Sequence, residues 1–220
     1  MKLAIFDFDG TLLTKDTLPS LGKEWLRQQR SQTRYFSVFL SIIPAVIRYK
    51  LGFINREKFK NIAFNKFNRI YQGMSKAEIN EFFQKAYPYL KETFNTTVLK
   101  EIKTARQQGF RCVLLSGSYA DLLRIVARDL GIDTVIGAEL AFQDDIFDYK
   151  GDIPFINGKT KVALLKKKFA GKIVNWNGSK CFADSVADIE LMQLVGEPVG
   201  INPDPGLRSY ALDNQWKIIG

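Results

Sequence analysis

Two aspartates near the start of the chain have the spacing of a reactive pair. Asp7 and Asp9 follow a short apolar run, and Gly10 after them permits a tight turn. Alternate residues of a strand point to the same face, so the two carboxylates can converge. Two carboxylates that close resist being charged together, and a divalent cation or a shared proton relieves their repulsion. The pair can therefore supply a nucleophile and an acid, although an ordinary acidic turn has the same pattern.

A phosphate-binding site is indicated further along the chain. Ser116 and Gly117 follow a second apolar run and precede a predicted helix. A hydroxyl and free backbone N–H groups at the start of a helix can bind phosphate, although a capping serine beside a turn glycine has the same pattern. In a later lysine-rich stretch, either Lys161 or Lys159 could neutralise the charge of a phosphate.

A third apolar run ends at an aspartate that could bind a metal. Asp184 follows this run, and Asp188 comes one helical turn later. Mg²⁺ prefers oxygen ligands and keeps several of its waters. Asp184 is therefore a candidate ligand for Mg²⁺, and Asp188 could orient a metal-bound water or hold the lysine.

The predicted secondary structure brings these residues to one edge of a sheet. Apolar runs predict strands over residues 2–8, 110–115, 134–136, 180–183, 199–202 and 216–219. After residue 107 these strands alternate with helices, which predicts an α/β fold with a mostly parallel sheet that binds ligands at the carboxyl ends of its strands. The intervening part is helical, with a capping box at Ser75 and Glu78. We therefore divide the chain into a core, residues 1–14 and 107–220, and an inserted helical cap, residues 15–106.

The composition excludes several kinds of active site. The 220 residues include no histidine, which excludes Ser-His-Asp and Cys-His catalysis and zinc bound by histidine. Cys112 and Cys181 lie in separate apolar runs, so we expect buried thiols, no disulfide and a reducing, cytoplasmic location. No secretory signal is visible, and no apolar run reaches the ~20 residues that a membrane-spanning helix needs.

The basic residues are concentrated in the cap. Residues 15–106 hold 18 of the 32 Lys and Arg residues and 7 of the 23 Asp and Glu residues. This excess could steer an anionic substrate or contact an anionic membrane, or it could be ordinary solvated helix surface. The apolar segment 35–47, which contains Pro44, could form a helix that lies on a membrane surface, packs within the cap or contacts a partner subunit.

The motifs occur together in an order that resembles the haloacid dehalogenase superfamily. The resemblance rests on residues 7–11, residues 116–118, Lys161 and residues 184–188. Within that superfamily the chain is similar to the phosphoserine-phosphatase-like branch, whose helical cap follows the first motif. The resemblance implies a Rossmann-like three-layer core, a helical cap and a Mg²⁺-dependent phosphatase.

The resemblance also implies a role for each site residue. Asp7 attacks phosphorus and becomes an aspartyl phosphate, and Asp9 protonates the leaving oxygen and then activates water. The groups expected to hold the phosphoryl oxygens are Gly10, Ser116, Gly117 and Lys161. Mg²⁺ is bound by Asp7, the backbone carbonyl of Asp9 and Asp184, and Asp188 supports the site. Dehalogenases of the superfamily generally lack the second acid, because a halide leaves without a proton, so Asp9 favours phosphate esters.

The substrate is expected to be a small phosphorylated molecule, with a phospholipid headgroup as one candidate. By similarity to the acid and the arginine with which phosphoserine phosphatases bind their amino acid, we expect Asp16 and Arg56 to contact it, with Arg69 as the alternative arginine. We expect no nucleic-acid partner. Two other functions stay open: a phosphotransferase on the same scaffold, and a non-catalytic basic protein that binds membranes or nucleic acid.

Overall fold

The fold is α/β, as predicted, and a computed structural model describes residues 1–149, 153 and 156–220. The strands of the described residues are β1 (Leu3–Phe6), β2 (Arg111–Tyr119), β3 (Thr134–Ala138), β4 (Phe142–Gln143), β5 (Ile146–Phe147), β6 (Lys180–Ala183), β7 (Glu197–Ile201) and β8 (Lys217–Ile219). The α-helices are α1 (Thr17–Arg27), α2 (Gln32–Lys50), α3 (Arg56–Phe67), α4 (Lys76–Lys91), α5 (Thr96–Gln107), α6 (Ala120–Leu130), α7 (Gly158–Lys168), α8 (Ile189–Met192) and α9 (Pro205–Asp213).

Six strands form one parallel sheet in the order β3-β2-β1-β6-β7-β8, and each corresponds to a predicted strand. The first strand lies in the middle, with Ile5 opposite Val113 on one side and Cys181 on the other. Every residue of β1 is buried, because helices cover both faces of the sheet. On one face the rings of Phe6 and Phe182 stack with their centroids 4.7 Å apart.

The helices between β1 and β2 pack around buried aromatic rings. Trp25 of α1 contacts Tyr71 and Phe82, and Tyr71 also contacts Tyr119 at the end of β2. This cluster joins the helical segment to the sheet through one continuous apolar core. Helix α5 packs directly against β2, within the segment 15–106 that we assigned to the cap. The division into cap and core stays a prediction.

Local sequence signals set the ends of several helices. The capping box at the start of α4 is confirmed, because Ser75 accepts a hydrogen bond from the Glu78 N–H and the Glu78 carboxylate accepts one from the Ser75 N–H. Helix α6 ends at Gly131, which adopts a left-handed conformation. Both cysteines are buried and free, as predicted.

The apolar segment 35–47 lies within helix α2, and Pro44 does not end that helix. Helix α2 continues through Pro44 to Lys50. A proline inside a helix removes one hydrogen bond, here to the carbonyl of Leu40. Leu40 is exposed, so water can bind that carbonyl. None of the helices in the described ranges is long and apolar enough to cross a membrane.

Candidate active site

Three neighbouring strands bring reactive side chains to one edge of the sheet. Asp7 directly follows β1, and Asp184 directly follows β6. The backbone N–H of Asp7 donates to the carbonyl of Phe182 at 3.0 Å, which joins the end of β1 to β6. Ser116 lies towards the end of β2, the other neighbour of β1. The parallel sheet therefore brings together the residues that the sequence placed at separate strand ends.

The pairing of β2 with β3 is irregular at the serine motif. The register shifts between Leu115 and Tyr119, across residues 116–118. Irregularities of this kind redirect side chains and are common beside active sites. Gly117 is needed here because a Cβ atom at this position would lie 2.9 Å from the carbonyl oxygen of Ile156.

Lys161 lies among the acidic groups. Its Nζ atom is 2.7 Å from Oδ1 of Asp7 and 2.7 Å from Oδ1 of Asp188, and all three side chains are buried. Burial opposes the charge on Lys161, but the two carboxylates outweigh it and hold the pKa of Lys161 above its usual value. Lys159, the alternative lysine, is exposed on the first turn of α7. Lys161 is therefore the lysine whose charge reaches Asp7.

Asp184 is strongly affected by its surroundings. Burial, followed by the charge of Asp7, raises the pKa of Asp184 to about 7. The Thr11 hydroxyl donates to Oδ1 of Asp184 at 3.4 Å, and Arg56 Nη2 lies 3.9 Å from its Oδ2. Burial also raises the pKa of Asp188, although the charge of Lys161 opposes this shift.

Asp9 is held by the first helix after the motif. The backbone N–H and the hydroxyl of Thr17 both donate to Oδ1 of Asp9, at 2.7 Å and 2.5 Å. Ser118 donates in turn to the Thr17 hydroxyl at 3.2 Å. Burial raises the pKa of Asp9 to about 6, and the Thr17 hydrogen bonds limit that rise. A carboxyl group with a pKa in this range can both donate and accept a proton near neutral pH.

The oxygen ligands at this edge of the sheet fit a Mg²⁺ ion. Asp7 and Asp184 are buried carboxylates, and oxygen is the ligand that Mg²⁺ prefers. Gly10 adopts φ +83°, and a Cβ atom there would overlap the Asp184 carboxylate, so only glycine leaves this space open. The predicted ligands are two carboxylates and the backbone carbonyl of Asp9. Within the described ranges, no group of three or more Asp, Glu, His or Cys side chains could hold a metal by itself.

A cavity of about 710 Å³ leads away from these groups. Asp7, Asp9 and Lys161 line one part of it, and residues of α1, α2 and α3 line much of the rest. The two predicted substrate residues also line it. Asp16 is exposed, and its Oδ1 atom lies 3.6 Å from the Nζ atom of Lys60. Arg56 donates to Oδ2 of Asp204 at 3.0 Å. Both are engaged with protein groups, and their roles stay predictions.

A family model described as haloacid dehalogenase-like hydrolase matches residues 4–193. The matched range contains every site residue described above except Asp204. The chain belongs to the haloacid dehalogenase-like hydrolase family. The predicted membership of this superfamily, and the prediction that the chain is a hydrolase, are confirmed.

Individual relatives of this haloacid dehalogenase-like hydrolase are distant. Over 126 residues it is 29% identical to "Inhibition of morphological differentiation protein" of Streptomyces azureus, a match that covers 56% of this chain and 43% of the relative. It is 24% identical over 222 residues to "Phosphoserine phosphatase SerB1" of Mycobacterium tuberculosis, covering 98% of this chain and 69% of the relative. A solved structure of a protein with unknown function from Bordetella pertussis Tohama I superposes with a TM-score of 0.81 at 21% identity, covering 100% of this chain and 98% of the other.

Sequence reasoning assigned no contact to three polar residues of the hydrolase site. Thr17 binds Asp9, and Thr11 binds Asp184. Asp204 caps α9 and accepts hydrogen bonds from Arg56 and Ser185. The available signals were the place of Thr11 in the motif over residues 7–11 and the place of Thr17 near the start of the predicted helical segment, shortly after Asp9. The other contacts depend on the tertiary arrangement of loops.

Proposed function

We propose that this hydrolase is a phosphatase that releases phosphate from phosphomonoesters through an aspartyl-phosphate intermediate. The observation that carries the proposal is the buried Asp7 carboxylate, 2.7 Å from Lys161 and beside Asp184, at the carboxyl end of the central strand. A relative that matches nearly the whole chain is named phosphoserine phosphatase, which supports the same reaction class. Transfer of a phosphoryl group to a carboxylate needs positive charge and hydrogen-bond donors around the phosphoryl group, and this site has both.

Asp7 is the proposed nucleophile. Its carboxylate oxygen forms a bond to phosphorus while the bond from phosphorus to the ester oxygen breaks. Lys161, Ser116 and Gly117 hold the phosphoryl oxygens during the transfer. Lys161 contacts Asp7 directly, so it can balance the charge of the carboxylate before the reaction and of the phosphoryl group during it.

Asp9 is the proposed acid and base. In its protonated form it donates a proton to the departing ester oxygen, which leaves as an alcohol. The resulting carboxylate then takes a proton from water as that water attacks the aspartyl phosphate, which releases inorganic phosphate and regenerates Asp7. The pKa of about 6 and the Thr17 hydrogen bonds suit both steps. When bound at Asp7, Asp184 and the Asp9 carbonyl, Mg²⁺ would neutralise negative charge on the transferred phosphoryl group.

The finer predictions from the sequence stay open. They concern the contacts of Asp16 and Arg56 with substrate, a phospholipid headgroup as substrate and a cytoplasmic location. Transfer of phosphate to a second alcohol would use the same aspartyl phosphate, so the phosphotransferase alternative also stays a prediction. Added acceptor alcohols distinguish the two, because a phosphotransferase converts them to phosphate esters in place of releasing phosphate.

The test is phosphate release from p-nitrophenyl phosphate with and without Mg²⁺. We expect release that depends on Mg²⁺ and falls on the order of a thousandfold or more in Asp7→Asn. Asp213→Asn is the control, because Asp213 is exposed at the end of α9. Equal turnover by Asp7→Asn and the unmodified protein would overturn the proposal.

A further inference from the structure

The cavity beside Asp7 has room for more than a phosphoryl group. At about 710 Å³ it lies well within the range of about 300–1,000 Å³ that is usual for small-molecule sites. Only one part of it carries the proposed chemistry, at Asp7, Ser116 and Lys161. The remaining space is available to the part of the substrate that leaves with the ester oxygen.

The walls away from the reactive groups are mainly apolar. They include Leu18 of α1, then Val38, Ile42 and Val46 of α2, and Phe59 and Phe64 of α3. The three α2 residues recur at intervals of four, so one face of that helix lines the cavity. Burying hydrocarbon against this face would stabilise a bound leaving group.

Four charged residues that line the cap side of the cavity, Asp16, Arg56, Glu57 and Lys60, have protein partners close by, and Lys23 also lines it. Asp16 lies 3.6 Å from Lys60. Arg56 donates to Asp204, and Glu57 accepts a hydrogen bond from Asn157. An amino-acid leaving group would need an anionic and a cationic partner for its ammonium and carboxylate groups, and these pairs would have to break first. An apolar leaving group needs no such partner.

We propose that the natural substrate is an amphiphilic phosphomonoester, with its phosphate at Asp7 and an apolar chain or ring system along α1, α2 and α3. The proposal rests on the proposed phosphatase function and specifies its substrate class. Water and the ester are consumed, the bond between phosphorus and the ester oxygen breaks, and an apolar alcohol and inorganic phosphate are formed.

Such an ester could be a freely dissolved metabolite or a lipid in a membrane. The outward face of α2 and the turn after it expose Phe36, Leu40, Ile47, Leu51 and Phe53. Residues 25–56 contain six Lys and Arg residues and no Asp or Glu. Exposed apolar side chains and basic residues in the same segment suit an anionic amphiphile in either form, so the experiment must separate the two sources.

The first experiment measures kcat/KM for n-alkyl phosphates from ethyl to octyl, all below the concentrations at which they form micelles. We expect kcat/KM to rise by up to about fourfold for each methylene that enters the cavity. A flat series, with ethyl phosphate as good a substrate as octyl phosphate, would overturn the proposal. Failure to release phosphate from any of these esters or from p-nitrophenyl phosphate would instead overturn the phosphatase function itself.

Two phenylalanines of α2 provide a matched pair of variants. Phe36 and Phe39 are each 53% exposed, and each ring contacts Tyr35. Of the two, Phe39 lines the cavity within the described part of the chain. We expect Phe39→Ser to lower the ratio of kcat/KM for octyl phosphate to that for ethyl phosphate by about fivefold, and Phe36→Ser to leave this ratio unchanged. Equal effects of the two variants would contradict the proposed position of the apolar chain.

The second experiment assigns the source. Dihexanoyl phosphatidic acid is offered as a dissolved monomer, and dioleoyl phosphatidic acid is offered in phosphatidylcholine vesicles. Turnover of either form supports an amphiphilic substrate, and turnover of neither overturns it. Faster turnover in vesicles assigns a membrane lipid, and turnover of the monomer alone assigns a dissolved ester.

Discussion

Replacing Lys161 with methionine removes a positive charge that contacts both Asp7 and Asp188. Methionine keeps most of the volume of the lysine side chain, so the change is mainly electrostatic. The Lys161 Nζ atom lies 2.7 Å from a carboxylate oxygen of each aspartate, and all three side chains are buried. Removing one partner of a buried ion pair leaves the other charge uncompensated and costs about 3–5 kcal/mol.

The loss of stability should depend on pH, and the direction of this dependence follows from the pKa of Asp188. Burial already raises the pKa of Asp188 above its usual value, and the charge of Lys161 opposes this shift. Without Lys161 the pKa rises further. A carboxyl group whose pKa is higher in the folded than in the unfolded state favours folding at low pH, and this contribution is lost as the pH rises through the folded pKa. Lys161→Met should therefore lose the most stability at pH 8 and less at pH 5.5.

The assay is urea denaturation in the presence of EDTA, so that no divalent cation replaces the missing charge. We expect the free energy of unfolding to fall by about 3–5 kcal/mol at pH 8, and the loss to shrink by about 1–3 kcal/mol at pH 5.5. Lys159→Met is the matched control, because Lys159 is exposed two residues earlier in α7. Equal losses in the two variants, or a loss that does not change with pH, would refute this account of Lys161.

Two further predictions concern pH. The pKa of Asp9 is about 6, the Thr17 hydrogen bond lowers it, and Asp9 must be protonated to donate to the leaving oxygen, so we expect kcat/KM to fall above about pH 6 in the unmodified protein. In Thr17→Val the pH–rate profile should move to higher pH by about one unit, whereas Ser20→Ala in the same helix should leave it in place. Because the pKa of Asp184 is about 7 before any metal binds, Mg²⁺ must compete with a proton there. Calorimetry should show the apparent Mg²⁺ affinity rising about tenfold between pH 6 and pH 8, and an affinity that is independent of pH would count against Asp184 as a ligand.

The sequence was informative wherever the signal was local. A parallel sheet aligns the carboxyl ends of its strands, so predicting strands that end near Asp7, Ser116 and Asp184 was enough to predict that these residues meet. The choice between Lys159 and Lys161 depends on the side of α7 on which each lysine lies. Asn157 caps that helix, and the turns that follow direct Lys161 towards Asp7.

The parts that the sequence could not provide depend on contacts between distant segments. The binding of Thr17 to Asp9 requires the start of α1 to return to the end of β1, which packing of the whole helical segment determines. Segment 35–47 is apolar on more than one side, so its periodicity could not indicate which residues line the cavity and which are exposed. Helix α2 continues through Pro44, because a helix tolerates the loss of one hydrogen bond where water can replace it.

The central claim is that Asp7 becomes covalently phosphorylated. The most direct measurement is mass spectrometry of the protein after it is mixed with Mg²⁺ and p-nitrophenyl phosphate and quenched in acid within one turnover. The proposed mechanism predicts one added phosphoryl group, on the peptide that contains Asp7, and none in Asp7→Asn. Rapid phosphate release with no phosphorylated protein at any quench time, or a phosphoryl group on a peptide without Asp7, would contradict it.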